Sequence, residues 1–554
     1  MEQSLLALWQ AVPTGNIKQS KLADQLELSS KQTTRLLRKW ADEGWLTFTS
    51  GRGRGNASHI QWHINVEEHY EKQMIQLIEE KSIETASKYL LFDWSPEVKH
   101  RLLHNFRSNF GYIQNNLTKN DKLLIPRKYP FLTLHPLYAS DIHSANLVAN
   151  VYSRLVSVDE NGIITPELAH SWDVTSTHLR LYLRKEVYFH DNSYLTATDV
   201  VNCLNRLRKD SSYSDLWQPI ESISACGSYM VEISFSNGCS YCLQMLGMIN
   251  ASIYKETPHQ TIGSGSFCIT ENSASKTTLQ AFGHYFQHRP LVDVVEFIQV
   301  SGDFDVAYRS SCENAEETFQ VESDSGFGVV ILNAFKDSPI GQKEVRDYVH
   351  YAIAKHRHKI AHYHPRAIAN HYSCLIGQEQ RPITLPCPKR PHLEQPLIIK
   401  AANYTDGATR WLKEALESEG IWVEIQWMSF QDKLIDTKSD QKADLFVHGE
   451  VFEMNQNFSF FYFLANGHSP LATIMKSQPL FHHYLAQYAA TPFEEWTALN
   501  LQMEQDLITS SIMLPLYYEK RQIPFSIDVM NITISHFGYV DFSKLWVRPV
   551  SINS

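Results

Sequence analysis

The sequence predicts a chain of several domains: a small, mainly helical N-terminal head, a helical connector, and a large α/β body of two lobes. Three observations carry this. Apolar residues recur at helical spacing from Leu5 to Trp40, with a tight turn between the second and third runs. A helical pattern of mixed charge occupies Glu67 to about Leu117. Beyond Lys122, short apolar strand-like runs alternate with helical stretches. With 554 residues, 43% of them apolar and 20% charged, the chain can bury more than one core.

In the head, Leu5, Leu6, Leu8 and Trp9 predict a first amphipathic helix, which the Pro13-Thr14-Gly15-Asn16 cluster ends. A second helix starts near Ser20, with Leu22, Ala23 and Leu26 at helical spacing, and the Leu28-Ser29 turn follows directly. Ser29 suits the N-cap of a third helix beginning at Ser30, because Gln32 three residues later can return a hydrogen bond to the cap amide. Leu36, Leu37 and Trp40 should face the small core, which turns Lys31, Gln32, Thr34, Arg35 and Arg38 outward. Gly44 stops the helix, Trp45 to Phe48 alternates like a strand, and His59 to Ile64 alternates as its partner.

Three helices followed by a hairpin make a winged helix-turn-helix over residues 1–66, a geometry that lays the third helix in the DNA major groove. The residues placed to meet double-stranded DNA are Ser30, Lys31, Gln32, Thr34, Arg35 and Arg38. Arg52 and Arg54, in the glycine-rich hairpin Gly51 to Asn56, would run along the phosphates and carry little sequence information. The competing reading is a winged helix that docks to protein, with Gly51 to Asn56 an ordinary turn.

Charge separates the head from the rest. Within Met1 to Val66, eight basic residues stand against five acids, a net of +3, so the remainder of a chain of net charge −10 carries −13. Eight cysteines scattered from Cys203 to Cys387 make no framework of even spacings and suit reduced thiols. No run approaches the roughly 18 apolar residues that a membrane helix needs. Met1 to Gln10 has an acid at Glu2, no basic region and no small-residue cleavage site. The expected location is the cytoplasm, away from membranes.

The connector, residues 67–120, contains Pro96, which should break or begin a helix there. In the body, residues 121–554, strand-like runs lie at Val294 to Val300, Val329 to Leu332, Leu397 to Ala401 and Val423 to Trp427. So long an alternation exceeds one doubly wound domain, and two lobes with a ligand-holding crevice are the natural architecture.

Ordered motifs narrow this further. They run Leu134-His135-Pro136; Asn161-Gly162 with Pro166-Glu167-Leu168-Ala169 and Ser171-Trp172; Leu183-Arg184 with Val187-Tyr188-Phe189-His190-Asp191; and Thr196-Ala197-Thr198-Asp199-Val200. Later come Ile262 to Phe267, Val345-Arg346 with Tyr351-Ala352-Ile353, Gly420-Ile421 with Val423-Glu424, and Pro515-Leu516-Tyr517-Tyr518. From roughly Asp121 to Val547 the chain resembles the extracytoplasmic solute-binding proteins of the oligopeptide and nickel transport class. That resemblance implies a bilobal α/β periplasmic-binding-protein-like domain of type II. Fused to a winged helix-turn-helix, and ending in Gly538 to Trp546, the whole resembles SgrR-type transcriptional regulators, a family associated with sugar-phosphate stress.

Two positions depart from the transporter pattern: Asn192 stands where glycine is usual after the His-Asp pair, and Ser266 where proline closes the Gly-Ser-Gly turn. Asn tolerates left-handed backbone, so the first turn should survive. By the same resemblance His448, Glu450, Asn455 and Asn457 are the ligand candidates, because the aromatic segment around them lines the cleft in the transporters. The implied ligand is a small polar solute, either a sugar phosphate or a peptide-like compound.

Other constellations carry less. His356, His358, His362 and His364 cluster densely, but only His358 and His362 would share a helical face, so exposed histidines are expected and no metal. Cys239-Ser240-Tyr241-Cys242 lacks the second pair that a zinc site needs and reads as two small packed side chains. Phosphate-binding and nucleophile-elbow motifs do not occur. The expectation is a ligand-responsive DNA-binding regulator with no cofactor and no catalytic residues. A homodimer is left open by the habits of helix-turn-helix proteins.

Overall fold

A computed structural model of the chain describes residues 1–51, 57–80, 82–107, 110–115, 120–159, 161–210, 212–300, 318–365, 367–369, 373–378, 387–435, 442–452, 455–527, 529–535 and 539–547. The head contains α1 (Gln3–Ala11), β1 (Gly15–Ile17), α2 (Gln19–Gln25), α3 (Ser30–Asp42), β2 (Leu46–Thr49) and β3 (Ser58–Trp62). The strands form a three-stranded antiparallel sheet in the order β1, β3, β2. The expected punctuation at Pro13 to Asn16 is thus the entry into a short strand that sequence reading missed. Three residues are too few to show a period.

The connector holds α4 (Val66–Glu79), α5 (Ile83–Leu90) and α6 (Pro96–Arg107), and Pro96 opens the last of these. The helical reading to Leu117 is corrected at its end, where β4 (Gly111–Asn115) pairs antiparallel with β5 (Asn120–Arg127). Tyr112 and Ile113 favour a strand, and the partner β5 is buried in a sheet, so tertiary pairing overrides the weak helical pattern.

Two sheets build the first lobe. One has five strands, in the order Phe267–Asn272, Lys276–Ala281, Val294–Gln299, β5 and β4, with Val294–Gln299 parallel to β5. The other is antiparallel, in the order Ile220–Ala225, Met230–Phe235, His178–Leu183 and Ala169–Val174. The second lobe rests on six strands: Ala367–Ala369, Met513–Ser526, Thr318–Leu332, Leu445–Val451, Leu397–Ala402 and Val423–Met428. Three of the four runs anticipated as strands lie within these elements, and the fourth, Val294 to Val300, runs one residue past the end of strand Val294–Gln299.

Alternation along Thr318–Leu332 explains why that sheet is covered on both sides. Val329 and Ile331 pack into the core shared with the first lobe, whereas Val330 and Leu332 pack toward helices Lys343–His356 and Asp406–Ser418. The chain then returns to the first lobe. Phe461 and Trp496 close on Tyr241 with ring centroids 4.7 and 5.6 Å apart.

The head is not a separate bead. Leu5, Leu37, Trp40 and Ile60 of the head, Tyr70, Met74, Leu102 and Phe106 of the connector, and Leu124, Ile298 and Val300 of the first lobe belong to one continuous apolar cluster.

Several expectations about turns and side chains can be placed. Asn192 takes φ 64°, the left-handed conformation expected of it. Ser266 is buried and its hydroxyl donates to the Asn150 carbonyl at 3.3 Å, a bond that proline could not make. The expectation of exposed histidines is corrected for two of the four. His356 is half-buried with Nε2 2.7 Å from Glu419 Oε1, and His364 sits edge-on to Tyr517 at 4.8 Å; His358 and His362 are exposed. Cys242 begins the helix Cys242–Leu246 and is buried, and the neighbouring Cys239 with burial pushes its thiol well up. Seven cysteines among the described residues carry free thiols.

Candidate functional site

Two places gather the residues singled out from sequence. The first is the outer face of α3. Ser29 caps the helix: its Oγ accepts from the Gln32 backbone N–H at 3.4 Å, and Gln32 Oε1 accepts from the Ser29 N–H at 3.2 Å. Thr33, Leu37 and Trp40 are fully buried, and that fixes the helix's rotation about its axis. Leu36, expected in the core, is only half-buried, and Thr33 takes the inner position that its hydroxyl makes tolerable by donating to Ser29 O at 3.1 Å.

That rotation exposes Ser30, Lys31, Gln32, Arg35 and Arg38, with Thr34 half-buried beside them. A groove of about 860 Å³ runs along this face, with Gln19 of α2 on its wall among Ser30, Lys31, Thr34, Arg35 and Arg38. Gln19 escaped the sequence reading, because nothing local says that its amide will reach across to α3. Arg52 and Arg54 lie outside the described residues.

The second place is the C-terminal half of strand Leu445–Val451. His448 and Glu450 project from it two residues apart, on one face, and His448 Nε2 lies 2.9 Å from Glu450 Oε2. Lys433, from helix Phe430–Ile435, brings its ammonium to 2.5 Å from His448 Nδ1 and 2.6 Å from the Tyr404 hydroxyl. An ammonium can only donate, so Nδ1 is the acceptor and Nε2 carries the proton given to Glu450. Burial, and then the charge of Lys433, push the His448 pKa well below its ordinary value and keep the ring neutral. The ring stacks on Phe463 at 5.6 Å. Gly326 lets the adjoining strand approach the Glu450 backbone, where a Cβ would overlap the carbonyl oxygen. A cation, a neutral imidazole, a phenol and a carboxylate thus converge, a set that can both donate to and accept from a polar solute.

Asn455 and Asn457 have different duties. Asn455 is the N-cap of helix Gln456–Ala465, its Oδ1 accepting from the Asn457 and Phe458 amides at 2.8 and 3.4 Å. Asn457 donates to Thr497 Oγ1 at 2.9 Å and accepts from Asn500 Nδ2 at 3.1 Å, tying its helix to Trp496–Thr509. Neither is engaged with the His448 group by these bonds. Lys433 and Tyr404 are the residues that sequence reading missed, since they reach His448 from other elements.

Residues 3–111 match the profile described as sugar transport-related sRNA regulator N-term, and residues 164–316 match that of bacterial extracellular solute-binding proteins, family 5 Middle. Over 99% of both chains, the protein is 23% identical to the HTH-type transcriptional regulator SgrR of Yersinia pestis (strain Pestoides F), and 23% identical to that of Photorhabdus laumondii. The chain is similar over its whole length to the SgrR-type regulators. Among solved structures, the chain is similar to the Escherichia coli murein tripeptide binding protein MppA, with TM-score 0.64 and 14% identity over 77% of this chain and 99% of that one. It is likewise similar to a dipeptide binding protein from Pseudoalteromonas sp. SM9913, with TM-score 0.64 and 16% identity over 77% and 100%. These likenesses establish a bilobal solute-binding fold behind the head. The relatives that match over the full chain are named as transcriptional regulators. No helix among the described residues is long and apolar enough to cross a membrane.

Proposed function

We propose that the head, residues 1–66, reads double-stranded DNA and that the body, residues 121–554, senses a small polar solute, the two communicating through the connector at 67–120. The observation that carries the reading is the capped, rotationally fixed α3, which presents Lys31, Gln32, Arg35 and Arg38 together on an exposed face. Support comes from relatives named as transcriptional regulators over the full chain. Arg35 and Arg38 address base edges, Ser30 and Lys31 the nearer phosphates, and Arg52 and Arg54 the backbone beside the hairpin.

The solute is a sugar phosphate or a peptide-like compound held near Lys433, His448 and Glu450, with Asn455 and Asn457 shaping the segment behind them. Solute acts by favouring one of two arrangements of the lobes, because equal affinity for both would shift nothing. The setting is the cytoplasm, where DNA and metabolites meet, and a homodimer would match a two-fold operator.

The test is binding of the full chain to duplexes enriched from a random pool, with salt varied and with sugar phosphates or dipeptides added. R35A and R38A should each weaken selective binding by about 1–3 kcal/mol. Unchanged affinity in both variants would return the head to the protein-docking reading. A thermal-shift screen in which neither compound class stabilises the protein would remove the solute assignment.

A further inference from the structure

Thr34 lies one turn into α3, among the exposed Lys31, Arg35 and Arg38. Its hydroxyl sits 2.8 Å from the Ser30 carbonyl oxygen and 2.6 Å from Gln19 Nε2. The Gln19 amide also reaches Ser30 O at 3.4 Å. The carbonyl can only accept and the amide nitrogen can only donate, so the assignment is forced: the hydroxyl gives its single proton to Ser30 and receives one from Gln19.

Two consequences follow. Thr34 has no proton left for a base edge. Its hydroxyl is held between two helices, which leaves the Cγ2 methyl, and one hydroxyl lone pair, as the Thr34 groups not engaged in hydrogen bonding where the residue lines the groove. On the major-groove edge only thymine offers a methyl group, and apolar contact with that methyl is the interaction the Thr34 methyl can make, while the remaining lone pair can accept only from adenine N6 or cytosine N4.

We propose that Thr34 is a specificity-determining residue that selects thymine through methyl contact, and that Gln19 is its positioning residue. The inference rests on the DNA-reading function of the head. It adds a preference that the arginines and Gln32, which read hydrogen-bonding groups, do not supply.

The experiment uses the full chain and duplexes enriched from a random pool, with each thymine replaced in turn by deoxyuridine, which removes only the methyl. At one position per recognition helix the replacement should weaken binding about fourfold, the worth of one buried methyl group. T34S keeps the hydroxyl bonds and should show no penalty at that position while keeping those elsewhere. T34V keeps the methyl and should retain the penalty, and Q19A should shrink it.

A uracil series with no effect at any position would overturn the proposal, as would an undiminished penalty in T34S. Loss of the penalty in T34V would also overturn it, since the response would then depend on the hydroxyl and not on the methyl. If the pool yields no enriched sequence, the DNA-reading function fails and takes this with it. Enrichment without a uracil response sinks the methyl contact alone.

Discussion

Glu84, on connector helix α5, accepts a hydrogen bond of 2.7 Å from the hydroxyl of Ser275, at the turn before strand Lys276–Ala281 of the first lobe. Lys276 stands 3.8 Å from the same carboxylate. The contact closes the polar edge of a seam whose apolar floor is Leu124, Ile298 and Val300. Head, connector and first lobe are therefore fastened by both apolar burial and a directed polar bond. Under the proposed function, a solute that closed the lobes would move the second lobe against this whole unit.

Replacing Glu84 by Ala removes the polar edge without touching the floor. The expected cost is about 1 kcal/mol, because the group lies at the surface and water replaces part of the bond. Denaturant titration measures it. A cost above about 3 kcal/mol would mean that the polar bond, rather than the apolar floor, holds the seam.

Leu102→Ala attacks the floor from the connector side. Leu102 is fully buried, and a cavity of this kind costs about 2–5 kcal/mol. Because the cluster is continuous, the head and first lobe should lose protection together in hydrogen exchange. Destabilisation confined to the connector would contradict the shared core.

Acid should loosen the body. Burial holds His190 and His350 down to about 4, with Arg357 adding to the effect at His350, and His135, also lowered to about 4 by burial and Arg206, lies nearer the surface. A histidine whose folded pKa is depressed binds fewer protons folded than unfolded, so its contribution is intact above about 6.5 and drains away as pH falls toward 4. Between pH 7 and 5.5 the loss is about 1 kcal/mol for each of His190 and His350, and less for His135. Unfolding curves across that range should show it, and H190Q should flatten the slope.

Ser29→Ala removes a cap worth about 1 kcal/mol and leaves the first turn of α3 frayed. DNA affinity should fall with it, although Ser29 itself contributes no base-reading group. Glycine at the same position should recover most of the stability. Circular dichroism and binding measured side by side check both arms.

Lys433→Met should leave His448 neutral at pH 6, because burial outweighs the cation in lowering its pKa. Imidazole resonances followed by NMR decide this. A protonated ring at pH 6 would reverse the order of the two causes.

Much of the head was legible because its determinants are local. The Ser29 and Gln32 pair, and the spacing of Leu37 and Trp40, set the start and the rotation of α3 within a dozen residues, and the exposed face followed from both. The strand β1 was illegible at three residues, and β4 was hidden by a helical pattern that its pairing with β5 overrode. Asn455 did carry a readable signal, a polar side chain three residues before the apolar run that starts at Phe458, which is the mark of an N-cap. Lys433 and Tyr404 carried none. They meet His448 only once separate elements have packed, a matter of distance in space that spacing along the chain does not encode.

The continuous cluster joining Trp40 to Leu102 and Val300 also bears on how such a protein can be taken apart. A cut after residue 66 would leave Leu5, Leu37 and Ile60 folded but strip Tyr70 and Met74 from the far side of the same cluster, presenting an oily scar to water. A transplantable reading head would need α4 to α6 and a replacement for the wall formed by Leu124, Ile298 and Val300. Gene fusions that swap heads between bodies of this architecture should therefore succeed at a junction beyond β5, with strand Val294–Gln299 supplied by the donor, and fail at the shorter boundary that the sequence alone suggests.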